Sequence, residues 1–296
     1  MAAYPKTITT SLGRVSVDSI EHAIRETAQK LIVPRYRQLG ASDIENKGDP
    51  TDFVTVADRE AEMALREYLT KLLPGSLFVG EESLSLGLET IDPLLHQSKP
   101  VWVLDPIDGT SHFVKGIPGF ATMLALVDNG ETLAGWIYDP LDEGMNAGFK
   151  KHGTFRNGRK MVAPTPSKET YGLVASYYVP DATMQAVKAL QTSIRHDFSN
   201  KVSAIYYLDF LQDGPDFYIC FQANPWDQLP GVGLLEPLGF VAVTHEGKSY
   251  TRHCESGQKG YVIARNRDII ERVMDEIISP LRDTLGEAFW DRKETK

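Results

Sequence analysis

The run Val101-Trp102-Val103-Leu104-Asp105-Pro106-Ile107-Asp108-Gly109-Thr110 constrains this chain more than any other stretch. Its unbroken apolar start predicts a strand over Val101–Leu104 buried on both faces, which only a layered fold can supply. The apolar run stops at Asp105, and Pro106 fixes φ and removes a ladder donor. The reading is a strand followed by a sharp, rigid turn that aims Asp105 and Asp108 at one point. Two carboxylates so placed suit a hard divalent cation, because Mg²⁺ is held by one or two carboxylates together with a substrate phosphate. Asp and Gly are also ordinary turn formers, so the run alone leaves the two readings even. Beyond it, Gly109 permits close approach and a helix opening at Thr110 would present free N–H groups to a phosphate. The plainer role for Thr110 is a cap.

Around this run the pattern alternates. A helix is expected over Val17–Leu39, ended or kinked by Pro34, then a polar loop over Asn46–Asp52. A second helix starts near Thr55, buries Ala61, Ala64, Leu65, Tyr68, Leu69 and Leu72, and stops at Pro74-Gly75. A short strand, Leu77–Val79, ends at Gly80-Glu81-Glu82, and Ser83–Pro100 reads as a long connection. Strands over Thr122–Val127 and Leu133–Tyr138 flank the hairpin turn Asp128-Asn129-Gly130, and Asn157-Gly158 marks another. A compositional break at Pro164-Thr165-Pro166 divides the chain into an N-terminal α+β half, residues 1–163, and a C-terminal half, residues 164–296. The second half reads as strand Gly172–Tyr177, helix Ala182–Arg195, strand Asp216–Phe221, helix Asp227–Leu238, strands Phe240–Thr244 and Tyr261–Ala264, and helix Asp268–Leu281. That alternation implies α/β architecture.

Lys and Arg total 31 against 40 Asp and Glu, a net charge of −9. Such a chain repels nucleic acid polymers and anionic membranes, and an anionic substrate would need local positive charge, which bound cations could supply. Cys220 and Cys254 form neither a zinc pattern nor a disulfide framework, so reduced thiols in a cytoplasm are expected. No secretory signal and no membrane-length apolar run is visible. Walker A, dinucleotide, HExxH and GxSxG patterns fail on inspection.

Three further acidic positions carry a chemical reading beside a structural one. Glu81-Glu82 sits at a strand end, where clefts form, and burying that pair needs a cation; for Glu82 a solvated loop is the expectation. Asp227 follows Trp226 at the start of an apolar helix, as a metal ligand or an N-cap. Thr55-Val56-Ala57-Asp58 has the form of a capping box, favoured about two to one over a role for Asp58 in holding Thr110 or a water.

Taken together, the segments Asp52–Asp58, Gly80–Ser83, Trp102–Thr110 and Trp226-Asp227 resemble, in order and spacing, the inositol monophosphatase family of metal-dependent, lithium-sensitive phosphatases, across about Asp18 to Ile270. The Asn157-Gly158 turn agrees. The resemblance implies an α/β fold, a layered α-β-α-β-α sandwich of the inositol monophosphatase / fructose-1,6-bisphosphatase type with the site between two halves, and a homodimer. It implies Glu81, Asp105, Asp108, Asp227 and the Ile107 carbonyl as ligands for two or three Mg²⁺, with Mn²⁺ as a substitute. Gly109, Thr110 and Ser111 would bind phosphate with Asp108. Asp58, Thr110 and Glu81 would orient the attacking water, with Lys47 near the metals. The substrate side departs from the family. Ser111-His112-Phe113 replaces Thr-Asn-Phe, and Leu229-Pro230-Gly231 replaces a small-residue stretch. Cys220 stands where inositol-specific relatives place a glutamate, and the sugar-contacting loop is replaced near Lys201-Val202-Ser203-Ala204. The expected substrate is a small phosphorylated metabolite, inositol 1-phosphate or a similar sugar or polyol phosphate. Alternatives are histidinol phosphate, fructose 1,6-bisphosphate or a phosphoadenosine nucleotide, and, from another class, non-catalytic binding of a phosphorylated ligand.

Overall fold

The computed structural model describes residues 3–47, 52–96, 99–165, 168–176, 179–212, 214–221, 223–251 and 260–286. In chain order the first half comprises β1 (Thr7–Thr10), β2 (Gly13–Ser16), α1 (Val17–Thr27), β3 (Ile44–Asn46), β4 (Phe53–Thr55), α2 (Val56–Leu72), β5 (Leu77–Gly80), α3 (Glu81–Ser85), α4 (Asp92–His96), β6 (Val101–Asp108), α5 (Thr110–Val114), β7 (Ala121–Asp128), β8 (Glu131–Asp139), β9 (Gly144–Phe149), β10 (Gly153–Arg156) and β11 (Arg159–Lys160). The second comprises β12 (Tyr171–Ala175), α6 (Asp181–Ala189), β13 (Arg195–Ser199), α7 (Ser203–Phe210), β14 (Phe217–Cys220), α8 (Pro225–Leu235), β15 (Val241–Thr244), β16 (Tyr261–Ala264), α9 (Arg267–Val273) and α10 (Ser279–Leu285).

Two sheets form the frame. One has seven strands in the order β11-β10-β9-β8-β7-β6-β5, antiparallel except for the parallel pair β5–β6. The other has five, β13-β12-β14-β16-β15, with β12 parallel to both β13 and β14. Strand periodicity sorts the apolar side chains into three cores. On β6, Trp102 and Leu104 face α1 and α2, while Val101 and Val103 face inward toward α7 and α8. On β14, Tyr218 and Cys220 join that same inner core, while Phe217 and Ile219 face outward to α9. The result is five layers, α-β-α-β-α. Helices α7 and α8 lie between two apolar sheet faces, and α8 buries ten residues all round its circumference.

Several elements depart from expectation. The first helix ends at Thr27 and passes through a π segment, Ala28–Ile32, and a 3-10 turn, Val33–Arg35, so Pro34 terminates it before Leu39. The buried line of α2 runs through Asp58, Ala61, Glu62, Leu65 and Leu69, and Tyr68 is exposed. Ser83–Pro100 is not a plain connection, because it holds the end of α3 and all of α4. The helix expected over Ala182–Arg195 stops at Ala189, and Arg195 opens the edge strand β13. Pro230 lies inside α8, and the helix persists. The Asn129-Gly130 and Asn157-Gly158 hairpin turns form as expected, all four residues at positive φ. Tyr177, Pro166, Cys254 and most of the Asn46–Asp52 loop lie outside the described residues.

Candidate active site

The strand expected to stop at Leu104 continues to Asp108. Asp105 pairs with Met123 and Asp108 with Ala121, so Pro106 and Ile107 together oppose Thr122 alone. The sharp turn is therefore a β-bulge, a place where proline's missing donor is tolerated. It is fastened twice: the Thr122 hydroxyl donates to the Pro106 carbonyl at 2.9 Å, and Asp105 Oδ1 accepts from the Ile107 amide at 2.9 Å. Gly109 then turns the chain at φ 87°, where a Cβ would lie 2.9 Å from the Gly119 carbonyl. Only glycine satisfies both demands. Gly109 is the N-cap of α5, so Thr110 is not the cap but the first helical residue. The amides of Thr110 and Ser111, in the first turn, have no acceptor within the helix.

A second carboxylate source faces the bulge. Helix α8 begins at Pro225 behind Asn224, so Asp227 is its third residue and not its N-cap. The Asn224 amide donates to Asp227 Oδ2 at 3.1 Å and sets its rotamer. One carboxylate oxygen from each of Asp105, Asp108 and Asp227 lies within 4.8 Å of the others. Asp108 also reaches across the layers: its Oδ2 accepts the Ala204 amide at 2.6 Å at the start of α7, with the Ser203 amide beside it.

Glu81 opens α3 at the end of β5, and Lys47 Nζ bridges Glu81 and Glu82 at 2.9 Å each. Glu82 is buried, contrary to the solvated loop expected of it, and Lys47 is a largely buried bridge rather than a solvated loop lysine. Thr55 and Asp58 complete the capping box that begins α2. The other Asp58 oxygen, Oδ1, is 3.2 Å from the Thr110 hydroxyl, which is also 3.0 Å from the Ile107 carbonyl. The capping box and the contact with Thr110 thus coexist, on different oxygens of Asp58. Glu81, Asp105, Ile107, Asp108 and Asp227 line a cavity of about 700 Å³, as do Lys47, Gly109, Thr110, Ser111 and Ser203, while Asp58 stands behind Thr110.

Burial and mutual repulsion dominate the electrostatics. Burial, reinforced by Glu81, Asp108 and Asp227, holds the Asp105 carboxyl well above the ordinary carboxylate range. Asp227 is raised for the same reasons, burial first and then Asp108 and Glu81. Burial and Glu81 push Asp108 up to about 7 against the pull of the α7 amides. Asp58 is raised by burial to about 6, opposed by its bonds to Thr55. Burial and Glu81 lift Glu82 to about 9, opposed by Lys47. Burial alone would depress Lys47, yet Glu81 and Glu82 raise it above the ordinary lysine range. Crowded, buried carboxylates with hard oxygen donors and no imidazole among them fit Mg²⁺ or a similar oxygen-seeking cation.

Sequence reasoning missed two supports. Glu62, buried on α2, accepts the amides of Glu82 and Ser83 at 2.8 Å each and the Ser83 hydroxyl, clamping the start of α3. Gly80 makes room for it, since a Cβ there would lie 2.4 Å from the Glu62 carboxyl. The other is α7, whose apolar composition gives no amphipathic signal.

A five-layered α/β fold that crowds buried carboxylates beside an open helix start has the features a metal-assisted phosphatase requires. The inositol monophosphatase family model matches residues 15–284. The chain is 28% identical to the inositol-1-monophosphatase of Bacillus subtilis over 263 residues, 86% of this chain and 93% of that one. Among solved structures it is similar to a Thermotoga maritima inositol monophosphatase, with a TM-score of 0.70 at 24% identity, covering 92% of this chain and 98% of the other. It is also similar to an inositol monophosphatase/NADP phosphatase complexed with Mg²⁺ and phosphate, with a TM-score of 0.68 at 20% identity, covering 88% and 92%. The chain belongs to the inositol monophosphatase family and is a phosphatase.

Proposed function

We propose that this phosphatase hydrolyses the phosphomonoester of a small phosphorylated metabolite, a sugar or polyol phosphate such as inositol 1-phosphate, with two or three Mg²⁺ per site and Mn²⁺ as a substitute. The observation that carries the reading is the convergence of Asp105, Asp108 and Asp227 within 4.8 Å beside the amides of Thr110 and Ser111. Glu81, Asp105, Asp108, Asp227 and the Ile107 carbonyl would hold the ions. Cations bound by these oxygens supply positive charge against the phosphoryl oxygens and acidify water. Gly109, Thr110 and Ser111 face the phosphate with N–H groups that need no reorganisation as charge shifts in the transition state.

The Thr110 hydroxyl has one proton and two acceptors in reach. When it donates to ionised Asp58, its lone pairs are free to accept from a water, which is thereby aimed and relieved of a proton through the Thr110–Asp58 pair. Lys47 fixes Glu81 against the cluster, and Ser203 with Ala204 fixes Asp108. The attack is direct, with no covalent intermediate on the chain. The test is phosphate release from p-nitrophenyl phosphate and a panel of sugar, polyol and nucleotide phosphates, with Mg²⁺ and with EDTA. Turnover that needs Mg²⁺ is the expected result, and its absence across the panel overturns the reading. So does transfer of labelled phosphate onto the protein.

A further inference from the structure

The proposed phosphate cradle is only part of the cavity lining, and what lines the rest says what else the substrate carries; this inference rests on the phosphatase reading above. Three segments meet beside the cradle. A Cβ on Gly109 would lie 2.9 Å from the Gly119 carbonyl and 3.0 Å from Val202 Cγ1. Helix α5, the loop through Gly119 and the lead-in to α7 are therefore in contact. His112 joins them through Nδ1, 3.1 Å from the Gly119 carbonyl. Nδ1 must carry the proton there, which leaves Nε2 as the other polar atom of the ring.

This wall is basic in a chain of net charge −9. The Lys115 amide bonds to the Ser111 carbonyl at 3.2 Å, so Lys115 stands one turn beyond Ser111, about 6 Å along the axis. Lys115 is exposed and has no ion-pair partner among the described residues. Lys201 directly precedes Val202. Its pairing with Asp209 at 2.6 Å is between partly exposed groups, which hold one another weakly. Lys115, Lys201 and His112 all line the cavity.

Ala175, Tyr206, Tyr218 and Cys220 also line the cavity, and all four are buried. Cys220 is among the lining residues and carries a thiol. Gln228 beside it is fully buried and already bonded to the Tyr207 hydroxyl. A site that selects hydroxyls does so with buried hydrogen-bonding partners, and a thiol is a weak one.

We propose that the substrate carries a second anionic group, a phosphate or a carboxylate, in addition to the phosphate that is cleaved, and that Lys115 and Lys201, with His112, select it. The test uses matched pairs that differ by one anion: fructose 6-phosphate against fructose 1,6-bisphosphate, adenosine 3′-monophosphate against adenosine 3′,5′-bisphosphate, and glycerol 3-phosphate against 3-phosphoglycerate. With Mg²⁺ present, kcat/KM is at least tenfold higher for the doubly anionic member of at least one pair, and the bisphosphate and carboxylate arms show which anion is read. That preference falls at least fivefold between 50 and 200 mM salt. It falls by a similar factor in Lys115→Ala/Lys201→Ala and further in Lys115→Glu. Equal kcat/KM within every pair overturns the proposal, as does a preference that survives the double variant. Turnover of p-nitrophenyl phosphate in the same assay separates the two readings: its presence with no anion preference sinks only this inference, and its loss sinks the phosphatase reading beneath it.

Discussion

Replacing Glu62 by alanine tests whether the clamp on α3 is what places Glu81. The Glu62 carboxylate accepts two amides at 2.8 Å, both first-turn donors that the helix itself cannot satisfy. Each buried donor left without a partner costs about 1–3 kcal/mol. Water entering the space left by the side chain recovers part of this, so the expected destabilisation is about 3 kcal/mol. Glu62→Gln keeps one carbonyl oxygen but turns an N–H₂ toward the second amide, so about half that loss is expected. Because Glu81 is the residue immediately before the two clamped amides, its carboxylate loses its fixed position. A displacement of about 1 Å in a group that positions the reaction can lower turnover about a hundredfold. The assays are urea unfolding and kcat for p-nitrophenyl phosphate at saturating Mg²⁺. Glu62→Ala with stability within about 1 kcal/mol of wild type and kcat within twofold would refute the clamp.

The other outcomes are shorter to state. Asp105→Asn abolishes turnover yet raises thermal stability in EDTA, because the amide oxygen still accepts from Ile107 while a buried repulsive charge is removed; near-normal turnover would show that Asp105 holds no ion. Thr110→Ala lowers kcat far more than it raises KM if, as proposed, the hydroxyl aims the water while the amide binds phosphate; an unchanged kcat contradicts that role. In EDTA, stability falls as pH rises. Asp108 moves from an ordinary 3.8 to about 7 and Glu82 from 4.5 to about 9 in the folded chain. The folded state therefore holds more protons than the unfolded state between about pH 4 and pH 9, and raising pH through that window destabilises the fold. Saturating Mg²⁺ removes most of the slope. Urea midpoints measured from pH 4.5 to 9 that are flat in EDTA would count against the repulsive cluster.

What the sequence revealed depended on whether a residue's partners were local. The Asn129-Gly130 and Asn157-Gly158 hairpins were legible because their turn chemistry lies within two residues. The Thr55–Asp58 capping box was legible for the same reason. The extent of β6 was not. Asp105 and Asp108 look like a strand terminator when read singly, and only the Thr122 hydroxyl and the pairing of Asp108 with Ala121 carry the strand through a bulge. On α2 the apolar periodicity points to Tyr68, whereas the buried line takes in Asp58 and Glu62. Both are buried, since Thr55, Thr110 and the start of α3 satisfy them. Helix α7 lacks a polar face because sheets pack on both sides of its layer, so no helical period stands out in Ala204–Leu211. Glu82 is the same lesson in charge: alone it reads as solvated, and only Lys47, thirty-five residues earlier, makes its burial tolerable.

These non-local partners tie the site to the fold in a particular way. Asp108 belongs to the seven-stranded sheet, yet its Oδ2 holds the first turn of α7 in the central helix layer. Asp227 enters from α8 in that same layer. Asp105 faces both, so the carboxylates come within 4.8 Å only when the sheet and the central helices are docked. The repulsion among them opposes that docking, while the α7 amides, Asn224 and the apolar inner core favour it. On the function proposed above, a cation at this point would do more than prepare a phosphoryl group for attack. Bound there, it would remove the main electrostatic penalty on the packing that creates its own site, so ion binding and the docking of these two layers would be linked equilibria.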